Sequence, residues 1–224
     1  VPPEGYHKRC LETCRKYEVI YISDEVVTGF GRLGEFFASQ NVFDITPDII
    51  TCAKGITSGY VPLGAMLISD RLLADIQDKD RANVLFSNGF TYSGHPVSCV
   101  AALKNIEIME REGIFAHVRE ITPYFQERLQ DLRRHSIVGD ARGMGLLGCV
   151  EGAAPSDSSP EKRLQVDKEF GQRLDDKCEA RGLLLRPIIN MCVFSPPLII
   201  SRDQIDAMFD IIDKALGEVN AEMA

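Results

Sequence analysis

Two short β-branched runs, Val19-Ile-Tyr-Ile22 and Ile49-Ile-Thr-Cys52, constrain this chain more than anything else in it. Each is almost continuously apolar, as are strands buried on both faces of a parallel sheet, and such sheets are covered by helices. The expected class is therefore α/β. Ligands of such sheets sit beyond the carboxyl ends of the strands. Asp24 lies just past the first run and Lys54 just past the second, with the glycine-punctuated turn Gly29-Phe-Gly31-Arg32-Leu-Gly34 between them. An anion and a primary amine are thus expected at neighbouring strand ends.

That pair of groups suits a pyridine ring that carries an aldehyde, as in pyridoxal 5'-phosphate. A carboxylate beside the ring nitrogen keeps it protonated by opposite-charge stabilisation, which makes the ring an electron sink. Asp24 is the candidate. A lysine condenses with the aldehyde as a Schiff base once it has lost its proton, a loss that burial near a cationic ring favours. Lys54 is the candidate, and when a substrate amine displaces it the free amine can carry a proton between substrate and cofactor carbons. Val26, two residues beyond Asp24, would lie against the ring face. Taken singly, an acidic pair after a strand is a loop cap or a solvated turn, and a lysine before Gly55 is a surface residue.

The order and spacing carry more than the single residues do. Tyr21-Ile-Ser-Asp24-Glu25-Val-Val-Thr-Gly29-Phe-Gly31-Arg32-Leu-Gly34, then Pro47-Asp48-Ile-Ile-Thr-Cys-Ala-Lys54-Gly55, then Phe90-Thr91-Tyr-Ser-Gly-His-Pro96, together resemble the class III pyridoxal-phosphate aminotransferases over essentially the whole chain. The resemblance implies a fold type I transferase. Residues 1–112 would be the C-terminal half of the large domain with its mixed, mostly parallel sheet, and residues 113–224 a small α/β domain. It implies that Phe90 and Thr91 bind cofactor, with Thr91 reaching the phosphate held by a neighbouring subunit, and hence a homodimer with shared sites. Family members carry a long upstream half with a glycine/serine phosphate loop and an aromatic that stacks on the pyridine. Neither is identifiable here, and the chain is expected to be a C-terminal half.

The spacing from Arg186 to Pro196-Pro197 is similar to the branch that acts on ω-amino acids and amines with pyruvate as acceptor. There this arginine swings in for carboxylates and out for apolar amines. A guanidinium grips a carboxylate through two parallel hydrogen bonds, although an arginine at a strand end is equally a surface ion pair. The implied reaction is ping-pong transamination between an amine or ω-amino acid and a keto acid. Two alternatives stay open: an aminomutase or decarboxylating relative that keeps Asp24, Lys54 and Thr91, and a non-catalytic binding or assembly module.

Composition narrows the rest. The net charge of -8 argues against a nucleic-acid or anionic-membrane partner, since either calls for a basic patch. No apolar run approaches the roughly 20 residues a bilayer requires, and no signal peptide opens the chain, so the expected location is cytoplasmic. The seven cysteines contain no Cys-x-x-Cys pair, which points to reduced thiols and to no metal site. His7, Cys10 and Cys14 share a helical face but lack a fourth ligand.

Periodicity supplies the remaining elements. Helices are expected over about 5–17, from Ser69-Asp70 to 76, over 97–112, 161–181 and 202–219. Ser201 is the expected cap of the last, Ser93 and Pro96 start the helix at 97, and Gly113 and Pro123 interrupt helical pattern. Strands are expected over 62–68, 137–150, 183–187 and 191–194, and loops over 78–88 and 153–160. Arg32 and Arg142 are read as structural, and His95 as a turn residue.

Overall fold

A computed structural model describes residues 1–77 and 87–223. The contacts divide the chain into two compact units, Pro2–Phe115 and Ala116–Ala224 with Val1. The loop expected over 78–88 lies outside the described residues as far as residue 86.

The first unit contains helix α1 (Tyr6–Lys16), strand β1 (Ile22–Asp24), a short helix α2 (Ala38–Asn41), strand β2 (Ile49–Cys52) and a 3₁₀ turn at Lys54–Thr57. Strand β3 (Ala65–Ile68) and helices α3 (Asp70–Gln77) and α4 (Pro96–Arg111) follow. The strands are ordered β1-β2-β3. β1 runs parallel to β2 with Ile22 opposite Ile49 and Asp24 opposite Thr51, while β3 is antiparallel to β2. The sheet is therefore mixed.

One carboxylate ties the starts of these strands together. Asp48, 1% exposed, accepts from Arg15 at 2.6 and 2.7 Å, from Arg71 at 2.6 Å and from the Tyr21 backbone N–H at 2.9 Å. α1, α3 and the residue just before β1 thus converge on the residue just before β2. Burial alone would raise the Asp48 pKa, but the hydrogen bonds from Arg15, Tyr21 and Arg71 outweigh it and hold the group at about 2.

The strands are not buried on both faces as expected. Met66 and Leu67 are 40% and 43% exposed, and because successive strand residues point to opposite faces, both faces of β3 are open. Ile22 is 56% exposed on β1, an edge strand among the described residues. The run Ile49–Cys52 is β2, but of the strand expected over 19–22 only Ile22 is extended into β1, which runs on to Asp24, and the helices described in this unit leave the sheet uncovered.

The second unit takes in most of helix α5 (Ile114–Asp131), then β4 (Val138–Met144), β5 (Leu147–Gly152), α6 (Pro160–Glu179), β6 (Arg186–Ile188), β7 (Met191–Phe194) and α7 (Arg202–Glu222). Its sheet is ordered β4-β5-β7-β6 and is antiparallel throughout. Phe125, Val150, Phe170, Leu174, Phe209 and Ile212 are all within 1% of full burial and form its core. Gly152 makes that packing possible, because a Cβ there would stand 2.2 Å from the Phe170 ring. Ser201 caps α7 with a capping box to Gln204, as expected. Pro123, expected to interrupt the pattern, instead sits inside α5. The flanking residues Val118, Ile121, Phe125 and Leu129 are all buried, and this apolar stripe at helical spacing outweighs the bond the proline cannot make.

Candidate active site

Parallel pairing puts Asp24 and Lys54 at the same end of the first sheet. Asp24 closes β1 opposite Thr51, and Lys54 opens the 3₁₀ turn that begins two residues after β2 ends. Adjacent strands run about 4.8 Å apart, so the two residues leave the sheet side by side. Both are exposed, so the burial expected for Lys54 is absent within this chain. The Asp24 carboxylate accepts from the Val26 backbone N–H through Oδ1 at 2.9 Å, and its Oδ2 has no partner among the described residues. The Lys54 ammonium likewise has no hydrogen bond or ion pair among them. Val26 is half-buried beside them.

The neighbouring acid behaves in the opposite way. Glu25 is 1% exposed, because alternation along a strand turns it away from the face that Asp24 takes. Its carboxylate accepts from the backbone N–H groups of Ala38 and Ser39, each at 2.7 Å, from the Thr28 hydroxyl at 3.0 Å and from the Ser39 hydroxyl. Its own N–H donates to the Thr51 carbonyl at 2.8 Å. Glu25 therefore staples the end of β1 to β2 and to the start of α2, and Asp24 inherits a fixed position.

Lys54 is held by its backbone. Its φ is +46°, in the left-handed region that a side chain rarely adopts. The next residue packs tightly: a Cβ on Gly55 would come within 2.8 Å of the Phe30 Cβ. From the other side, Asn105 of α4 donates to the carbonyls of Gly55 and Ile56 at 2.9 and 3.2 Å. The turn that presents the lysine is thus wedged between the loop after β1 and α4. Burial pushes the nearby Arg32 guanidinium down to about 10.

Phe90 and Thr91 lie in an exposed turn just ahead of α4. Ser93 closes that turn, accepting from the Phe90 N–H at 2.8 Å, and Pro96 occupies the first turn of the helix. No hydrogen bond among the described residues joins Phe90 or Thr91 to Asp24 or Lys54. Asn105 is nine residues from Pro96, about 14 Å along the helix axis.

Arg186 opens β6 in the second unit and is exposed. It lines a cavity of about 810 Å³ with Leu183, Phe194, Ile200, Met208 and other apolar residues. Arg142 is tied to Asp140 at 2.9 Å and to Glu151 at 2.5 Å, a structural pairing. His7 bonds the Tyr21 hydroxyl at 2.9 Å, and among the described residues no group of three or more His, Cys, Asp or Glu side chains could hold a metal ion. No helix among them is long and apolar enough to cross a membrane.

Residue reasoning passed over Glu25, Asn105 and the roles of Asp48 and Phe30. A legible signal existed for one of them: an asparagine among the mostly apolar residues of the helix stretch Val100 to Met109, which also carries the paired Lys104 and Glu107, needs a partner.

The donor set fits pyridoxal phosphate at two of its ends. The unpartnered Asp24 oxygen can accept from a protonated ring nitrogen, and Lys54 offers a primary amine at the adjacent strand end. The aminotransferase class-III family model matches residues 1–216, and that family is pyridoxal-phosphate dependent. A probable gamma-aminobutyrate transaminase 2, mitochondrial, of Oryza sativa subsp. indica is 38% identical over 223 residues, covering 100% of this chain and 44% of that protein. A putrescine–pyruvate aminotransferase of Pseudomonas aeruginosa is 38% identical over 222 residues, covering 99% and 47%. Among solved structures, an (S)-enantioselective omega-transaminase from Thermomicrobium roseum aligns with a TM-score of 0.86 at 38% identity, over 98% of this chain and 48% of that one. A PMP-bound aminotransferase from Vibrio fluvialis gives 0.89 at 35%, over 100% and 49%. These neighbours have the fold type I architecture, and the chain spans about half the length of the curated relatives it matches. It belongs to the class-III aminotransferases.

Proposed function

We propose that this chain takes part in pyridoxal-phosphate-dependent transamination between an amine or ω-amino acid donor and a keto acid such as pyruvate. The observation that carries the reading is the contrast at the strand ends. Glu25 and Asp48 are consumed by structure, whereas Asp24 Oδ2 and the Lys54 ammonium, at the same end of the sheet, have no partner among the described residues. The bound cofactor would supply an electron sink for the carbanion formed at the substrate carbon.

Each residue has a bounded task. Asp24 holds the proton on the ring nitrogen, its geometry fixed by the Val26 N–H. Val26 packs against the ring. The Lys54 amine would hold the cofactor aldehyde and, as a free base, would carry a proton between the substrate carbon and the cofactor carbon. Arg186 grips the carboxylate of the amino or keto acid.

Thr91 holds phosphate across a homodimer, with Phe90 beside it. The reading is supported by the exposure of that turn and by the apolar stripe Val97, Val100 and Leu103 on α4, which are 62%, 64% and 68% exposed. The first unit would belong to the large cofactor domain and the second to the small one. We place the protein in the cytoplasm, a reading supported by seven cysteines without a Cys-x-x-Cys pair, as suits a reducing compartment; a fluorescent fusion that collected in mitochondria would overturn this.

The test is a pyridoxal phosphate titration followed by visible absorbance, with Lys54→Ala alongside. A saturable band that the variant lacks is expected, and an amine with pyruvate should then yield alanine. A band that survives in the variant, or no band in either protein, removes the assignment.

A further inference from the structure

We infer that Asn105 is a positioning residue for Lys54: its side-chain amide grips two successive carbonyls of the 3₁₀ turn, keeps the lysine backbone left-handed and so sets the direction in which the amine leaves it. The turn is poorly equipped to hold that conformation by itself. It spans only Lys54–Thr57, and 3₁₀ geometry makes weaker hydrogen bonds than an α-helix does. Its closing bonds, from the Ile56 N–H to the Ala53 carbonyl and from the Ser58 N–H to the Gly55 carbonyl, are both 3.2 Å long. A left-handed lysine is strained, and Ser58, just past the turn, is left-handed as well, with φ at +50°. Relaxation of Lys54 from its φ of +46° to the ordinary helical value would rotate the chain about the N–Cα bond by roughly 110° and redirect the side chain.

The restraint comes from α4. Asn105 Nδ2 donates to the Gly55 carbonyl at 2.9 Å and to the Ile56 carbonyl at 3.2 Å, and it lies 3.5 Å from Met109 Sδ. Packing alone would give this place on the helix to an aliphatic side chain, because Ala102 and Met109, at helical spacing on either side, are 6% and 5% exposed. A polar amide in such a stripe costs free energy unless its donors are met. The acceptors that meet it belong to the lysine turn. Ile56 and Thr57 of that turn are buried, which leaves little water to take over from the amide. What the amine does once positioned rests on the transamination reading; the hold of Asn105 on the turn does not.

The experiment compares the 224-residue chain with Asn105→Leu, which keeps the volume and removes the donor, and with Asn105→Asp, which keeps the shape and polarity but at pH 8 offers no donor. Two quantities are measured. One is amide hydrogen exchange over residues 53–58 without cofactor; the other is the yield of pyridoxal phosphate that borohydride fixes on Lys54, counted by peptide mass spectrometry. Asn105→Leu and Asn105→Asp should each quicken exchange over 53–58 about tenfold and lower the Lys54 yield about tenfold, with exchange over α1 and β1 unchanged. Unchanged exchange over 53–58 in Asn105→Leu overturns the assignment, and so does quickened exchange with full yield at Lys54. An Asn105→Asp chain that matches the unaltered one also overturns it, since shape and not donation would then be at work. Should Asn105→Leu fail to fold, the unaltered chain decides: exchange over 55–58 as fast as over the exposed turn at 90–93 overturns the hold. The two readings fail separately. No fixation at Lys54 in any of the three proteins, with exchange altered as expected, removes transamination and upholds Asn105 as the anchor of the turn.

Discussion

Replacing Asp48 by asparagine should release the first sheet at the end opposite its candidate chemistry. The carboxylate accepts five hydrogen bonds from three residues: both oxygens accept from Arg15, one of them also from the Tyr21 N–H and the other twice from Arg71. Asparagine keeps the shape but turns one acceptor into a donor, so either the Tyr21 N–H or an arginine loses its partner. The pKa gives the scale. A group moved from 3.8 to about 2 contributes about 2 kcal/mol of stability at neutral pH. Because the folded pKa lies below the unfolded one, that stability is present above about pH 4 and is lost as pH falls towards 2, with about half remaining at pH 3. Urea unfolding of both proteins by far-UV circular dichroism, from pH 7 downwards, measures it. The variant should be less stable by about 2 kcal/mol at pH 7, and the gap should close with acidification. A gap that stayed constant down to pH 3, or one that never exceeded a few tenths of a kcal/mol, would show that half-exposed arginines screen Asp48 as surface partners do and that it clamps nothing.

Three further outcomes follow from the same geometry. Gly55→Ala should cost about 1–3 kcal/mol, since its Cβ would meet Phe30 at 2.8 Å, and it should weaken the Lys54-dependent absorbance more than overall stability; an unchanged band argues against the wedge. Glu25→Gln should cost about 2 kcal/mol, measured by urea unfolding, because one new amide group must face N–H or hydroxyl donors where an acceptor stood. Burial pushes the Cys178 thiol up to about 12 and Cys192 higher still, so iodoacetamide at pH 8 followed by mass spectrometry should label Cys10, Cys14 and Cys99 and leave both buried thiols intact.

Much of the fold was legible because its signals are local. Hydrophobic period and cap chemistry located α1, α6 and α7, and Ser201 with Gln204 is a capping box written in four residues. The failures were tertiary. Pro123 reads as a break, yet the buried stripe on either side keeps α5 continuous. The β-branched run at 49–52 marked β2, whereas β1 took only Ile22 of the run at 19–22; neither run revealed how its strand would be covered, and β3 turned back antiparallel, a choice no local pattern records.

At the site, the residues expected to perform chemistry were legible and those that hold them were not, for one physical reason. A catalytic carboxylate or amine is recognised by its place relative to strand ends, which sequence order shows directly. A supporting carboxylate is recognised by its donors, and those of Glu25 come from Thr28, Ala38 and Ser39 while those of Asp48 come from Arg15, Tyr21 and Arg71. Asp24 and Glu25 are adjacent and chemically alike, yet strand alternation sends one towards solvent and the other into a cage of N–H and hydroxyl groups. Exchanging their roles would require β1 to slip by one residue against β2, which would also move Tyr21 away from Asp48. The register is therefore fixed twice, at Asp48 where the strands begin and at Glu25 where they end, and the freedom left to Asp24 and Lys54 is the freedom to meet a ligand.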